Sequence, residues 1–340
     1  PDFKTIADFR KNNGAAIRKV CQKFVMLCRQ LNLFNDAMVA IDGSKFKAVN
    51  SRDKNFTRAK MKRRLAQIDA SLDRYFEQLE ATDQAERTRT DTDTTKLEDK
   101  IAQLKQEMQR LKKLETQMLN EPDKQLSLTD PDARSMKTRG TGIVGYNVQT
   151  AVDTQHHLIV SHEVTNVGSD RSQLSAMALQ AQQALASEDL SVVADRGYYK
   201  SEEILACEEA GIIPYVPKAQ TSGNQAKGLF GRDEFHYDVA TDTYRCPAGE
   251  RLKWRITSQE NGLTLHRYWS SNCQGCALKS QCTTGKERRV TRWEHEAVLE
   301  AMQTRLERAV SYTHLRAHET TSLISYAVFC LKKGGGGGGG

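Results

Sequence analysis

No apolar run in this 340-residue chain approaches the roughly 20 residues that span a bilayer, and nothing at its start, Pro1, resembles a signal peptide. From those absences a cytoplasmic protein is expected. The chain also lacks an initiator Met and enters helical sequence at once, which predicts an N-terminus cut inside a domain. Without an export signal, the eight cysteines argue against a disulfide framework and for free thiols or metal ligands. With 38% hydrophobic residues and a mean hydropathy of −0.63, what remains is a globular chain long enough for one large core or two ordinary domains. A net charge of +7 is modest for this length, so where the charges lie matters more than their total.

Two short apolar runs each end in an aspartate: Val39-Ala40-Ile41-Asp42-Gly43 and Val192-Val193-Ala194-Asp195-Arg196-Gly197. Each reads as a buried β-strand that delivers a carboxylate at its C-terminal edge, where open α/β sheets place their chemistry. On neighbouring strands, two such carboxylates would hold Mg²⁺ against a phosphodiester. The plainer reading is that strands often stop at Asp-Gly turns for backbone reasons. From Lys45 to Arg64 there follow nine basic residues against one acid, Asp53. A solvated helix face or linker would explain such a run. Beside a metal-binding aspartate, contact with a phosphate backbone explains it better, because cations there position a polyanion over the metal.

Residues Phe3 to Leu33 carry Ile6, Phe9, Ile17, Val20, Phe24, Leu27 and Leu31 at helical spacing, and Asn35-Asp36 breaks the pattern. From Arg58 to Leu119 glycine and proline are absent, and two apolar stripes flank a Thr-rich stretch from Thr82 to Thr95. An antiparallel helical hairpin is expected, with coiled-coil self-association as the rival because the second stripe runs close to a 4-3 repeat. Tyr146–Val152 alternates, turns at Asp153-Thr154-Gln155 and returns from Leu158 to Val164 as a β-hairpin. A helix over Ser172–Ala186, the strand ending at Asp195, a helix over Ser201–Ala210 and a strand over Ile212–Val216 complete a mixed α/β sheet with helical crossovers. Residues Lys218 to Arg289 turn to glycine, polar residues and aromatics on short strands. Helix returns over Thr291–Arg308.

Val39-Ala40-Ile41-Asp42-Gly43-Ser44-Lys45-Phe46, Gly145-Tyr146-Asn147-Val148-Gln149 and Ala194-Asp195-Arg196-Gly197-Tyr198 together resemble the DDE transposases of bacterial insertion sequences. The resemblance covers about Pro1 to Ala309. It implies an RNase H-like α/β catalytic domain made of residues 37–57, 126–217 and 290–309. Residues 1–36 would be the remnant of an N-terminal helical domain, 58–125 an inserted helical hairpin and 218–289 a cysteine-rich, zinc-ribbon-like β insertion. It also implies that Asp42 and Asp195 are the first and second catalytic acids, binding Mg²⁺ or Mn²⁺. Lys45, Arg52 and Arg196 then contact the DNA backbone, joined by Lys47 and Arg58 of the basic block. Such enzymes cut at the ends of their element with metal-activated water, then use the freed 3′-hydroxyl to attack target DNA. The implied partners are double-stranded DNA and a second copy in a homodimer, the implied setting the bacterial cytoplasm at the nucleoid.

The family's third acid is a glutamate on a helix beyond the segment that resembles Trp293 to Arg308. Glu294, Glu296 and Glu300 belong to the stretch before it, and the helix that should follow is absent. In its place Ser311–Thr320 and the seven terminal glycines resemble translated sequencing-adapter read-through, with a natural flexible tail as the alternative, so residues 310–340 are expected to be non-native. The rival function is accordingly a catalytically inert DNA-binding or oligomerising remnant. A general RNase H-like nuclease explains neither insertion.

Cys246, Cys273, Cys276 and Cys282 form the second constellation. Four thiolates would close a tetrahedral structural Zn²⁺ site, Cys273 and Cys276 supplying adjacent ligands from one turn. Reduced thiols or an ancestral site now empty are the alternatives. Gly140-Thr-Gly142-Ile-Val-Gly145 matches a dinucleotide fingerprint but precedes a strand, the reverse of the required context. His314, His318 and Glu319 lack the metalloprotease order. Cys21, Cys28 and Cys207 are expected to be core thiols.

Overall fold

The computed structural model describes residues 2–34, 37–48, 51–84, 91–138, 142–218 and 223–309. The expectations for residues 310–340, including His314, His318 and Glu319, lie outside them. Two compact units emerge: one holds the described residues up to Asp42, Thr150–Ser161 and those from Arg171 onward; the other holds Gly43–Gln149 and His162–Asp170.

The N-terminal stripe forms two helices rather than one, α1 (Phe3–Asn12) and α2 (Gly14–Gln30), which break at Asn13. The Asp2 carboxylate caps α1 by accepting from the Thr5 amide at 2.7 Å. Only Val25 and Cys28 of α2 are buried, and Phe9, Val20, Phe24 and Leu31 stand exposed.

The strand β1 (Met38–Lys47) is followed by β2 (Asn55–Thr57), α3 (Arg58–Gln84), α4 (Asp91–Asn120) and β3 (Gln125–Ser127). Pairing of β2 with β3 antiparallel brings the two ends of the helical excursion together. The stripes of α3 and α4 then meet in their own core of Phe56, Met61, Ile68, Leu72, Ile101, Leu111 and Met118. Lys100 lies over the Tyr75 ring and Lys105 over Phe76, so the cations flank the apolar seam. Leu111 is 1% exposed. Leu111→Ala is therefore expected to lower the stability of the helix pair by about 2–5 kcal/mol, read as faster amide exchange confined to α3 and α4.

Next come β4 (Arg134–Met136), β5 (Ile143–Asp153), β6 (Ile159–Thr165), α5 (Leu174–Leu185), β7 (Ser191–Ala194), α6 (Ser201–Glu209) and β8 (Ile213–Tyr215). They form a mixed sheet with β1, of order β4-β5-β1-β7-β8 with β6 on β5. The expected hairpin is β5–β6, its turn held by the Asp153 carboxylate, which accepts from the amides of Gln155 (3.1 Å) and His156 (2.6 Å). In the first unit, β1 pairs parallel with β7, and β7 with β8. Val39, Ala40, Ile41 and Val192, Val193, Ala194 are all buried, which is why these strands read as unbroken apolar runs. Leu174 and Met177 of α5 and Ile204 of α6 pack in the same core.

The rest of the first unit is β9 (His236–Asp238), β10 (Thr243–Arg245), β11 (Arg251–Glu260), β12 (Leu263–Trp269), α7 (Lys279–Cys282), β13 (Val290–Trp293) and α8 (Glu296–Ala309). A five-stranded sheet runs β13-β12-β11-β10-β9, every neighbouring pair antiparallel, over a core of Phe235, Tyr244, Leu252, Tyr268 and Val290. The helix expected from Thr291 thus starts later. Residues 290–293 pair with β12, and the buried Glu296 carboxylate accepts from the Trp293 amide at 3.2 Å where the helix begins. Among the described residues no helix is long and apolar enough to cross a membrane.

Candidate active site

Asp42 follows Ile41 on β1, and Asp195 follows Ala194 on β7. Ile41 and Ala194 are register partners in the parallel pair, so Asp42 and Asp195 are each the residue after that last pair; β7 stops there as expected, but β1 runs on through Asp42 to Lys47, because its second half pairs on with β5. Asp42 is half-buried, and the Thr150 hydroxyl donates to its carbonyl oxygen at 3.4 Å. Asp195 is exposed and caps the single helical turn Arg196–Tyr198, its Oδ1 accepting from the Gly197 amide at 2.8 Å. The Asp-x-Gly sequence therefore has a backbone role as well, fixing the carboxylate as it leaves the sheet. Arg196 is exposed next to it.

In the other unit, Lys45 donates from Nζ to the Lys137 carbonyl at 3.1 Å, which ties down a cation expected to face DNA. Lys47, Arg58, Lys62, Arg63 and Arg64 are exposed. Arg52 lies in a short helical turn over Arg52–Lys54.

Glu296 and Glu300 are engaged in ion pairs. Arg232 meets Glu296 at 2.8 Å, and Arg292, stacked 3.7 Å above the Tyr237 ring, holds Glu300 with both terminal nitrogens. Glu300 thereby joins α8 to β13 of the antiparallel sheet, and Glu296 joins it to the loop before β9. Among the described residues no group of three or more His, Cys, Asp or Glu side chains could hold a metal ion.

Cys246, Cys273, Cys276 and Cys282 line one pocket with Phe230, Phe235 and Leu252. Burial pushes the Cys282 thiol above its ordinary value, and the other three thiols raise it further against the pull of Arg288. The four sulfurs thus feel one another around a shared space, without being drawn into a ligating cluster. Of the other cysteines, Cys28 and Cys207 are buried, and burial raises Cys207 to about 12, making it an inert thiol. Cys21 is exposed, contrary to its expected place in a core: it shares a helix face with Cys28, two turns earlier, but burial of α2 is confined to Val25 and Cys28 near its C-terminus.

Sequence reasoning missed Asn147, Gln149 and Asp170. Both amides are 0% exposed on β5, at alternate positions of one face, and both donate to Asp170. Two amides spaced i, i+2 inside the expected strand were the available signal.

Two family models, each describing a transposase DDE domain, match the chain over residues 123–255 and 245–322. The first takes in Asp195, and Asp42 precedes both. No curated protein and no solved structure matches the chain. With two acids each following a register pair of parallel strands in a mixed α/β sheet, and transposase DDE models together matching residues 123–322, the chain belongs to the DDE transposases.

Proposed function

We propose that this protein is an insertion-sequence transposase that cleaves DNA at element ends and joins the freed ends to a target. The observation that supports this reading is the parallel register of β1 and β7, whose last pair, Ile41 and Ala194, is followed on the two chains by Asp42 and Asp195. Their hard carboxylate oxygens suit Mg²⁺ or Mn²⁺; Mg²⁺ keeps most of its water shell and needs only one or two protein carboxylates. A divalent ion held there neutralises charge on the phosphate and makes a neighbouring water more acidic. Asp42 and Asp195 hold and orient that charge, and Lys47, Arg52, Arg58 and Arg196 contact the DNA backbone. In the joining step the 3′-hydroxyl oxygen bonds to a target phosphorus as that phosphorus releases its own 3′ oxygen, so bonds made and broken balance.

The sheet is consistent with an RNase H-like body over residues 37–57, 126–217 and 290–309, with 58–125 and 218–289 as insertions. Work on double-stranded DNA as a homodimer, in the cytoplasm at the nucleoid, belongs to the same proposal. Nicking of a supercoiled plasmid in Mn²⁺, absent in EDTA, is the expected result; nicking that persists in EDTA would refute it. A second reading, an inert DNA-binding remnant, draws on the absence of any three-residue metal-holding group among the described residues. It requires plasmid binding with no nicking in Mn²⁺.

Structural zinc is a separate part of the proposal. The four thiols suit Zn²⁺ in kind, and all four line one pocket. Protein purified without chelator should carry one zinc per chain by elemental analysis, and Cys273→Ser with Cys276→Ser should remove it. Metal-free protein with all four thiols reactive to a thiol reagent would contradict this.

A further inference from the structure

Gly43 follows Asp42 on β1, and its φ is not among the positive values of the chain, so no backbone conformation demands glycine there. Space does. A Cβ at position 43 would meet Asp170 Oδ1 at 2.5 Å, Gln149 Nε2 at 2.5 Å and Asn147 Oδ1 at 2.9 Å. Those atoms belong to one polar cluster. Asn147 donates from Nδ2 to Asp170 Oδ1 at 2.7 Å and to the Val167 carbonyl at 3.1 Å, and Gln149 donates from Nε2 to the same Asp170 oxygen at 2.8 Å. The cluster and Gly43 lie within a single unit.

Burying two amides inside a sheet is unfavourable unless their hydrogen bonds are made. Here three of them are, yet Asn147 Oδ1 is buried without a partner, facing Gly43. Turning the amide over would aim that oxygen at the Val167 carbonyl and the Asp170 carboxylate, both acceptors, so the orientation is fixed. A core built for stability alone would fill this place with apolar side chains. What the cluster does instead is hold a rigid polar surface against the main chain one residue beyond Asp42.

We infer that Asn147, Gln149 and Asp170 form a positioning clamp that fixes the β1 backbone at Gly43 and so sets the direction of the Asp42 carboxylate toward its metal. The inference rests on the reading of Asp42 as a metal-binding acid. Groups that orient a ligand in this way commonly change metal affinity by roughly 10- to 100-fold when removed.

The test is Mn²⁺ titration of the full chain followed by electron paramagnetic resonance, with a thermal melt of each variant. Asp170→Ala should weaken Mn²⁺ binding by roughly 10-fold, and Asp170→Asn, which keeps the accepting oxygen without the charge, should restore it to within about threefold. Gly43→Ala should match Asp170→Ala, whereas Leu111→Ala, which loosens the same unit elsewhere, should leave affinity unchanged. Wild-type affinity in Asp170→Ala beside its loss in Asp42→Ala would overturn the clamp alone. So would equal weakening by Asp170→Asn, which would reveal a charge effect, or by Leu111→Ala, which would reveal a general stability effect. An unaltered chain that binds no Mn²⁺, or an Asp42→Ala variant that binds it as well, would overturn the acid pair itself and the clamp with it.

Discussion

Asp42→Ala and Asp195→Ala should each lower the rate of Mn²⁺-dependent plasmid nicking by roughly 10²- to 10⁴-fold while leaving plasmid binding within about threefold of the unaltered chain. The magnitude follows from the several kcal/mol that a correctly held divalent ion contributes to a phosphoryl-transfer transition state, at tenfold per 1.36 kcal/mol. Neither substitution creates a cavity in the core, since Asp42 is half-buried and Asp195 exposed, so folding should survive both. Asp195→Asn keeps the acceptor for the Gly197 amide and should preserve the local turn while still losing nicking. That comparison separates the charge of Asp195 from its backbone role. Undiminished nicking in the two alanine variants would remove the shared site.

Gly145→Ala should strongly lower the stability of the β1–β5 pairing. A Cβ on Gly145 would stand 1.8 Å from the Phe46 carbonyl oxygen, 2.8 Å from its carbon and 2.9 Å from the Ala48 nitrogen. All three are main-chain atoms of β1 and the residue after it, so no side chain can swing aside. The strands must part instead, which also strains the 3.0 Å bond from the Ala48 amide to the Val144 carbonyl. Overpacking of this kind costs about 1–3 kcal/mol, and a broken strand hydrogen bond adds about 1 kcal/mol. The expected loss is thus about 2–4 kcal/mol, measured as faster exchange of the amides in β1 and β5 under native conditions. A change below about 0.5 kcal/mol would mean that β5 does not approach β1 so closely.

β7 and the first half of β1 were legible because both are buried, leaving unbroken apolar runs up to a carboxylate; the polar and basic second half of β1, Gly43 to Lys47, gave no such signal. Helices α5 and α6 and the β5–β6 hairpin were legible for similar reasons, since period and turn chemistry agree locally. The N-terminal helices were harder to read. Their stripe reveals an apolar side but not what that side meets, and much of it is exposed. Residues 290–293 mimicked the start of a helix, because only pairing with β12 shows them to be a strand. The polar cluster under Gly43 was legible only in its two strand amides, for a different reason. Asn147 and Asp170 are 23 positions apart, and a glycine chosen for space looks the same in sequence as one chosen for a turn.

The sharpest test of a shared metal site is cleavage of the polypeptide itself by Fe²⁺ and ascorbate, since hydroxyl radicals formed at a bound ion cut the nearest backbone whether or not the chain turns over DNA. Cuts should fall beside both Asp42 and Asp195, fade with excess Mg²⁺ and vanish together in Asp42→Ala. Cuts elsewhere, or a cut beside Asp195 that persists in Asp42→Ala, would contradict a site built by these two carboxylates.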